Sequence, residues 1–233
     1  MGKVLKRRRD LRDQMWIQSK CGIRKDGFTY FDFSKDYILD SVDGILERLQ
    51  IERLDSLLLH RPDALMEPEE VAAAFDHLEQ AGKVRHFGVS NQNPMMMELL
   101  KTAVKQPLKV NQLQLSAAFT PSFEAGFHVN MEGSKAAVRD GSVFEYCRLY
   151  DTVIQAWSVL QHGYHVLNDL AKKYQVTPTA IALAWVLRYP GKMQAVIGTT
   201  KPQHVLEAGK AAEVTLTRKE WYQIYLAAGN DLP

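Results

Sequence analysis

Gly82-Lys83-Val84-Arg85-His86-Phe87-Gly88-Val89-Ser90-Asn91 decides how this chain folds. Gly82 fits the stop of a helix that Pro68 opens and that runs through Gln80, with Val71, Phe75 and Leu78 on one face. Lys83–Val89 then reads as a strand, and Ser90-Asn91 ends it with two polar side chains. Asn93-Pro94 follows at once, a cap residue and a first-turn proline that open the next helix.

The same order repeats outward from this stretch. Met15–Lys20 reads as a strand, and Ile38, Val42, Ile45, Leu46 and Leu49 give Tyr37–Gln50 helical spacing. Leu54–His60 is a strand that Arg61-Pro62-Asp63 ends. Downstream, Leu108–Leu115, Thr152–Trp157 and Gln194–Gly198 read as strands. Helices are expected over Ser142–Leu149, from Thr177-Pro178 to about Arg188, and after Lys201-Pro202. Thr217-Arg218-Lys219-Glu220 is a capping box for a last helix, and Thr120–Gly141 reads as a long loop. Alternation of this kind marks parallel β/α architecture, doubly wound or closed into a barrel. No Gly-x-Gly-x-x-Gly follows any strand, which counts against the doubly wound dinucleotide fold. Without a low-complexity linker or internal repeat, residues 1–233 are expected to form a single domain.

Composition excludes some partners. Hydrophobic residues at 46% and charged residues at 24% suit a globular protein, and no apolar run is long enough to span a bilayer, so no membrane partner is expected. The N-terminus lacks the apolar core of a signal peptide, and Cys21 and Cys147 make no disulfide framework, so a cytoplasmic, reducing location is expected. A net charge of +2 does not favour nucleic acid. Lys3, Lys6, Arg7, Arg8, Arg9 and Arg12 read as the solvated face of a helix, with Val4, Leu5 and Leu11 supplying apolar contact. The competing reading is a nucleic-acid or localisation patch.

Barrels of this class carry their chemistry at the carboxyl ends of strands. Those ends hold Ser19-Lys20, His60, Ser90-Asn91, Asn111-Gln112, Trp157-Ser158 and Gly198-Thr199-Thr200-Lys201. Singly, each has an ordinary reading: a surface lysine, a rim histidine, a core tryptophan, a helix cap. As an ordered set they resemble the aldo-keto reductase family. The segments that carry the resemblance are Gln18-Ser19-Lys20-Cys21-Gly22, Leu57-Leu58-Leu59-His60-Arg61-Pro62-Asp63 and Gly82 to Asn91. Val110-Asn111-Gln112, Ala156-Trp157-Ser158-Val159-Leu160 and Val196-Ile197-Gly198-Thr199-Thr200-Lys201 follow in the family's order.

The resemblance implies a (β/α)8 TIM barrel, of which this sequence covers about the third to eighth units. It implies an NADP-dependent oxidoreductase that reduces a small aldehyde or ketone by hydride transfer, with no metal. Lys20 and His60 match the family's catalytic lysine and histidine. Ser90, Asn91 and Gln112 match residues that bond the nicotinamide carboxamide, and Trp157 stands where an aromatic ring stacks on the nicotinamide. Ser158, Val159, Leu160 and Gly163 fall in the loop over the pyrophosphate. Gly198, Thr199, Thr200 and Lys201 match the loop that receives the adenosine 2′-phosphate, with His204 one turn on. Thr200 and Lys201 offer a hydroxyl and a point charge at a helix start, which favours NADP over NAD. Ala208 departs from the asparagine that many members place near adenine.

The family's proton-donating tyrosine and its aspartate lie ahead of the lysine strand, where only Met1–Gln14 stand here, and no Asp-Thr-Ala…Tyr-Gly motif occurs. Tyr30 and Tyr164 are the nearest substitutes, and neither matches that motif. The loop before Tyr164 is also shorter than the family's. The expectation is a longer protein, because a barrel without two adjoining strands would expose edges and core. The rival is a catalytically inactive NADPH-binding sensor or partner module. Phe119, Phe123 and Phe127 are candidate pocket residues, and the sequence sets no oligomeric state.

Overall fold

Three successive leucines cannot share one face of a strand, so Leu57-Leu58-Leu59 needs cover on both sides. The computed structural model, which describes residues 1–26, 28–123, 142–160 and 165–230, buries β4 (Leu54–Leu59) at every position. β4 lies between two parallel partners, β1 (Gln18–Cys21) and β5 (Val84–Ser90). The chain divides into two compact units, Met1–Asn111 and Gln112–Pro233, and β6 (Leu108–Gln114) contains the point of division.

In the first unit the helices α2 (Lys35–Leu49) and α3 (Pro68–Gln80) present Ile38 and Val42, and Val71, Phe75 and Leu78, as fully buried side chains. Phe75 stacks on Phe87 of β5 with centroids 4.1 Å apart. Each fully buried leucine of β4 contributes roughly 1.5–3 kcal/mol through the apolar surface it removes from water. Gly88 is required in β5: a β-carbon there would stand 2.6 Å from the carbonyl oxygen of Val110 and 2.7 Å from Leu58.

β1 begins later than the strand expected from Met15. The backbone N–H of Ile17 goes to the Asp55 carboxylate at 2.8 Å instead of to a strand carbonyl. The Ile17 carbonyl accepts from the N–H groups of Asp55 and Ser56. Arg12 pairs with the same carboxylate at 3.1 Å and donates to the Arg53 carbonyl. Arg85 approaches the other carboxylate oxygen at 3.4 Å. Burial by itself would raise the Asp55 carboxyl; the Ile17 N–H and Arg12 outweigh it and hold it below the usual carboxylate range. Arg12 is therefore a structural cation, not part of a solvated face. α1 (Gly2–Arg7) buries Leu5 but leaves Val4 55% exposed, so Val4 does not supply the apolar contact expected of it.

A hairpin the sequence reading lacks follows β1. β2 (Ile23–Asp26) pairs antiparallel with β3 (Phe28–Phe31), Arg24 opposite Tyr30. The sequence signal is the Asp26-Gly27 dipeptide, a hairpin-turn pair, ahead of Phe28-Thr29-Tyr30-Phe31. Gly22 makes the turn into it at φ 103°, and a β-carbon there would collide with the buried Phe33 ring. Asp63 anchors the far end, accepting from the Phe33 N–H at 2.9 Å. α4 (Pro94–Lys101) starts as expected, with Asn93 accepting from the Met96 N–H.

The second unit contains α5 (Val143–Leu149), β7 (Val153–Trp157), α6 (His165–Tyr174), α7 (Pro178–Leu187), β8 (Met193–Ala195), α8 (Pro202–Gly209) and α9 (Arg218–Ala227). α7 is buried continuously from Ala180 to Val186, as a helix apolar all round should be. Trp185 of α7 stacks on Trp221 of α9 at 4.8 Å, and each indole N–H donates to the other residue's carbonyl at 3.0 Å. Phe123 packs edge-on against Phe144, Trp185 and Trp221, so it is core and not a pocket residue. Phe119 is 38% exposed, and Phe127 lies outside the described residues, as does most of the Thr120–Gly141 loop. β8 stops short of the expected Gly198: Val196 still donates to the Ala156 carbonyl, but β7 turns at Ser158 and offers no further rung.

The capping box opens α9 as expected, and it does more than cap. Glu220 also accepts from Lys173 and Tyr174 of α6, so one carboxylate ties the two helices together. Burial would raise the Glu220 carboxyl; the Lys173 ammonium and the Thr217 donors bring it down to about 2. Its folded value lies below its unfolded value, so its stabilisation is present above the ordinary glutamate range and is lost as pH falls from about 4.5 toward 2, at most about 3 kcal/mol. Glu220→Gln should lower stability at pH 7 by about 1–3 kcal/mol and flatten the acid limb of thermal unfolding. Asp55→Ala should cost about 3 kcal/mol at neutral pH by leaving Arg12 and the Ile17 N–H without their acceptor, measured by denaturant unfolding.

Candidate active site

Parallel register places the first unit's polar residues together. Lys20 stands opposite Leu58, and Leu58 opposite Gly88. Residues opposed in a parallel sheet share a face, and so do residues two apart along one strand. Lys20, His60 and Ser90 therefore share one face at the carboxyl ends of β1, β4 and β5. The opposite face carries Leu57, Leu59 and Phe87. His60 follows directly on β4, its backbone N–H bonded to the Cys21 carbonyl at 2.9 Å.

The electrostatics of this group are those of crowded cations. Partial burial, then the Arg61 charge, lowers the Lys20 pKa. Partial burial lowers that of His60, and Lys20 and Arg61 lower it further. His60 is thus a neutral imidazole near pH 7, able to donate one hydrogen bond without carrying charge. Arg61 is the member that sequence reasoning missed; its adjacency to His60 was the available signal. Cys21 is buried, which pushes its thiol up to about 12, so it is no nucleophile.

Ser90 is buried, and Asn91 adopts φ 56°, a left-handed conformation uncommon for a residue with a side chain. Asn91 donates through Nδ2 to Ser90 Oγ at 2.9 Å. Asn111 holds the next residue, donating through Nδ2 to the Gln92 carbonyl at 2.8 Å. Tyr30 is placed in the hairpin, its ring 5.5 Å from the Arg24 guanidinium.

The second unit forms a cleft of about 330 Å³ where β7 and β8 end, lined by Trp157, Ser158, Val159, Leu160, Val196 and Gly198. Ser158 turns the chain at φ 58°. A β-carbon at Gly198 would meet nothing within 4 Å, so the glycine opens onto free space. Beyond it, Thr199 Oγ1 accepts from the Lys201 N–H at 3.2 Å and lies 3.4 Å from His204 Nδ1. Lys201 then occupies the cap position of α8 without a side-chain cap bond. Thr200, Lys201 and His204 are exposed. A half-buried indole, a turn of small and apolar residues, a side-chain-free glycine and a cationic helix start suit a ligand with a flat ring at one end and phosphate at the other. Gln112, also in this unit, is 4% exposed. Gly163 and Tyr164 lie outside the described residues.

Strand ends that gather polar groups on a β/α scaffold are where enzymes of this architecture carry their chemistry. The family model "Aldo/keto reductase family" matches residues 1–166 and 119–227, and the chain belongs to that family. It is 34% identical over 250 residues to Oxidoreductase YdhF of Escherichia coli, covering all of this chain (100%) and 78% of that protein. It is 31% identical over 250 residues to a 6-dehydroglucose reductase of Agrobacterium fabrum, covering 100% of this chain and 79% of the relative. Among solved structures, the thermostable aldo-keto reductase Tm1743 superposes with a TM-score of 0.76 at 24% identity, covering 97% of this chain and 75% of that one. An aldo/keto reductase from Klebsiella pneumoniae, solved with NADP and acetate, gives 0.73 at 23% identity, covering 96% and 72%. These likenesses place the fold among the (β/α)8 barrels. Among the described residues, no helix is long and apolar enough to cross a membrane.

Arg61→Gln removes a positive neighbour from both titrating groups, so it should raise the His60 pKa toward the ordinary imidazole value of about 6.5. Titration of the His60 ring protons by NMR measures this; an unmoved or lowered value would refute the assigned coupling.

Proposed function

We propose that this enzyme reduces aldehydes or ketones with NADPH, with Lys20 and His60 acting at the substrate carbonyl. The observation that carries the reading is the placing of Lys20 and His60 on one face at neighbouring carboxyl strand ends. The nicotinamide, when bound, supplies the hydride. Hydride addition builds negative charge on the carbonyl oxygen, and a preorganised cation and hydrogen-bond donor stabilise that charge. Lys20 supplies the cation, neutral His60 orients the carbonyl as a donor, and the proton that turns the alkoxide into the alcohol is the one the family's tyrosine gives, its pKa lowered by the lysine.

By their match to the family's motifs, Ser90, Asn91 and Gln112 are each assigned to the carboxamide of the nicotinamide. Trp157 is assigned to its ring, Ser158 to Leu160 and Gly163 to the pyrophosphate, and Gly198 to Lys201 with His204 to the 2′-phosphate. The cleft at Trp157–Leu160 and Gly198 supports this, as does the exposed cation at the start of α8. The buried thiols of Cys21 and Cys147 support a reducing, cytoplasmic setting.

NADPH oxidation should be observed with members of a panel of small aldehydes and ketones. The panel should include 6-dehydroglucose, the compound in the Agrobacterium relative's name. Lys20→Met should lower kcat by on the order of a hundredfold or more; unchanged turnover would remove Lys20 from catalysis. Lys201→Ala should weaken NADPH binding about tenfold and leave NADH nearly unchanged, because a charge-assisted phosphate contact is worth about 1.5–3 kcal/mol. Equal effects on the two cofactors would refute the 2′-phosphate assignment. NADPH binding with no turnover across the panel would instead identify a cofactor-binding module.

A further inference from the structure

A run of side-chain amides lies along the strands of the second unit. Gln112 of β6 donates through Nε2 to Oε1 of Gln155 in β7 at 2.9 Å. Gln155 donates through its own Nε2 to Oε1 of Gln194 in β8, again at 2.9 Å. Gln155 and Gln194 are directly opposed in the parallel β7–β8 register. Alternation along β7 puts Gln155 on the face of Trp157, and Gln194 stands two residues before Val196. Trp157 and Val196 both line the cleft, so the amide run lies one rung below it, toward the amino ends of the strands.

A glutamine amide has a donor end and an acceptor end. In a head-to-tail run each member sets the orientation of the next, and turning one alone would bring like ends together. With Nε2 committed to Gln155, the Gln112 amide keeps Oε1 turned away from it. A free glutamine side chain loses up to about 2 kcal/mol of rotamer freedom on ordering, and one ordered beforehand spares the ligand that cost.

We propose that Gln155 and Gln194 are positioning residues for the nicotinamide end of the cofactor: they hold Gln112 with its carbonyl oxygen presented as acceptor for the carboxamide NH2. The proposal rests on the reading of Gln112 as a cofactor contact. Gln155 and Gln194 act only through Gln112 and leave the phosphate end, at Thr199–Lys201, untouched. Each is a single polar residue inside a strand, and only the register aligns them with Gln112.

The test compares two probes on the intact protein by calorimetry: NADPH, and 2′,5′-ADP, which carries the 2′-phosphate end and lacks the nicotinamide. Gln155→Met should weaken NADPH about tenfold and leave 2′,5′-ADP within about twofold. Gln194→Met, at the exposed end of the run, should shift NADPH in the same direction by a smaller factor, and it serves if Gln155→Met does not fold. Equal losses on both probes would mean that these residues act through packing, and unchanged NADPH affinity would mean that they do not position Gln112; either result overturns the proposal. A wild-type protein that binds neither probe would overturn the cofactor reading itself, and a wild-type protein that binds 2′,5′-ADP as tightly as NADPH would overturn the nicotinamide contact of Gln112.

Discussion

The carboxylate of Asp55 sets the register of β1 against β4. It takes the Ile17 N–H, while the Ile17 carbonyl takes two N–H groups in return, and Arg12 closes the arrangement from the N-terminal segment. Every later pairing in the first unit follows: Lys20 falls opposite Leu58, and the His60 N–H reaches the Cys21 carbonyl. A slip of one residue would turn Lys20 to the face that packs Leu57, Leu59 and Phe87, where a charge has no water and no partner. The buried ion pair thus bears on function through geometry more than through its own energy.

Close approach of backbones is the second constraint. Gly88 lets β5 lie against Leu58 and the Val110 carbonyl, and Gly22 lets the hairpin fold over Phe33. Where the chain leaves β5 and β7, Asn91 and Ser158 hold left-handed conformations with side chains attached. Such positions persist only where surrounding bonds determine them, and they gather at ligand sites. At Asn91 the determining bonds include the Asn91–Ser90 contact and the hold of Asn111 on Gln92.

The second unit solves a different problem. Its core includes an aromatic group around Trp185 and Trp221, whose indole N–H groups find carbonyl acceptors across the stack. Glu220 then connects α9 to α6 through bonds that are strong only while it is ionised. Val159 and Leu160 join this core to the cleft, packing with the former while lining the latter.

Local sequence pattern determined the order of strands and helices outside the β2–β3 hairpin, because periodicity and caps are local. Pro68, Asn93-Pro94, Thr177-Pro178 and the Thr217–Glu220 box each mark their helix within a turn. It also determined which strand ends carry polar groups, and so pointed to Lys20, His60 and the residues around Trp157 and Gly198. Other features depend on residues far apart in the chain. Asp55 looked like one polar residue in an apolar strand until Arg12 and Ile17 came beside it. Phe123 read as a pocket residue until Trp185 and Trp221 surrounded it. Gln155 and Gln194 had no local signal at all, since hydrogen bonding between side chains on neighbouring strands is set by register, and register is a property of the folded sheet.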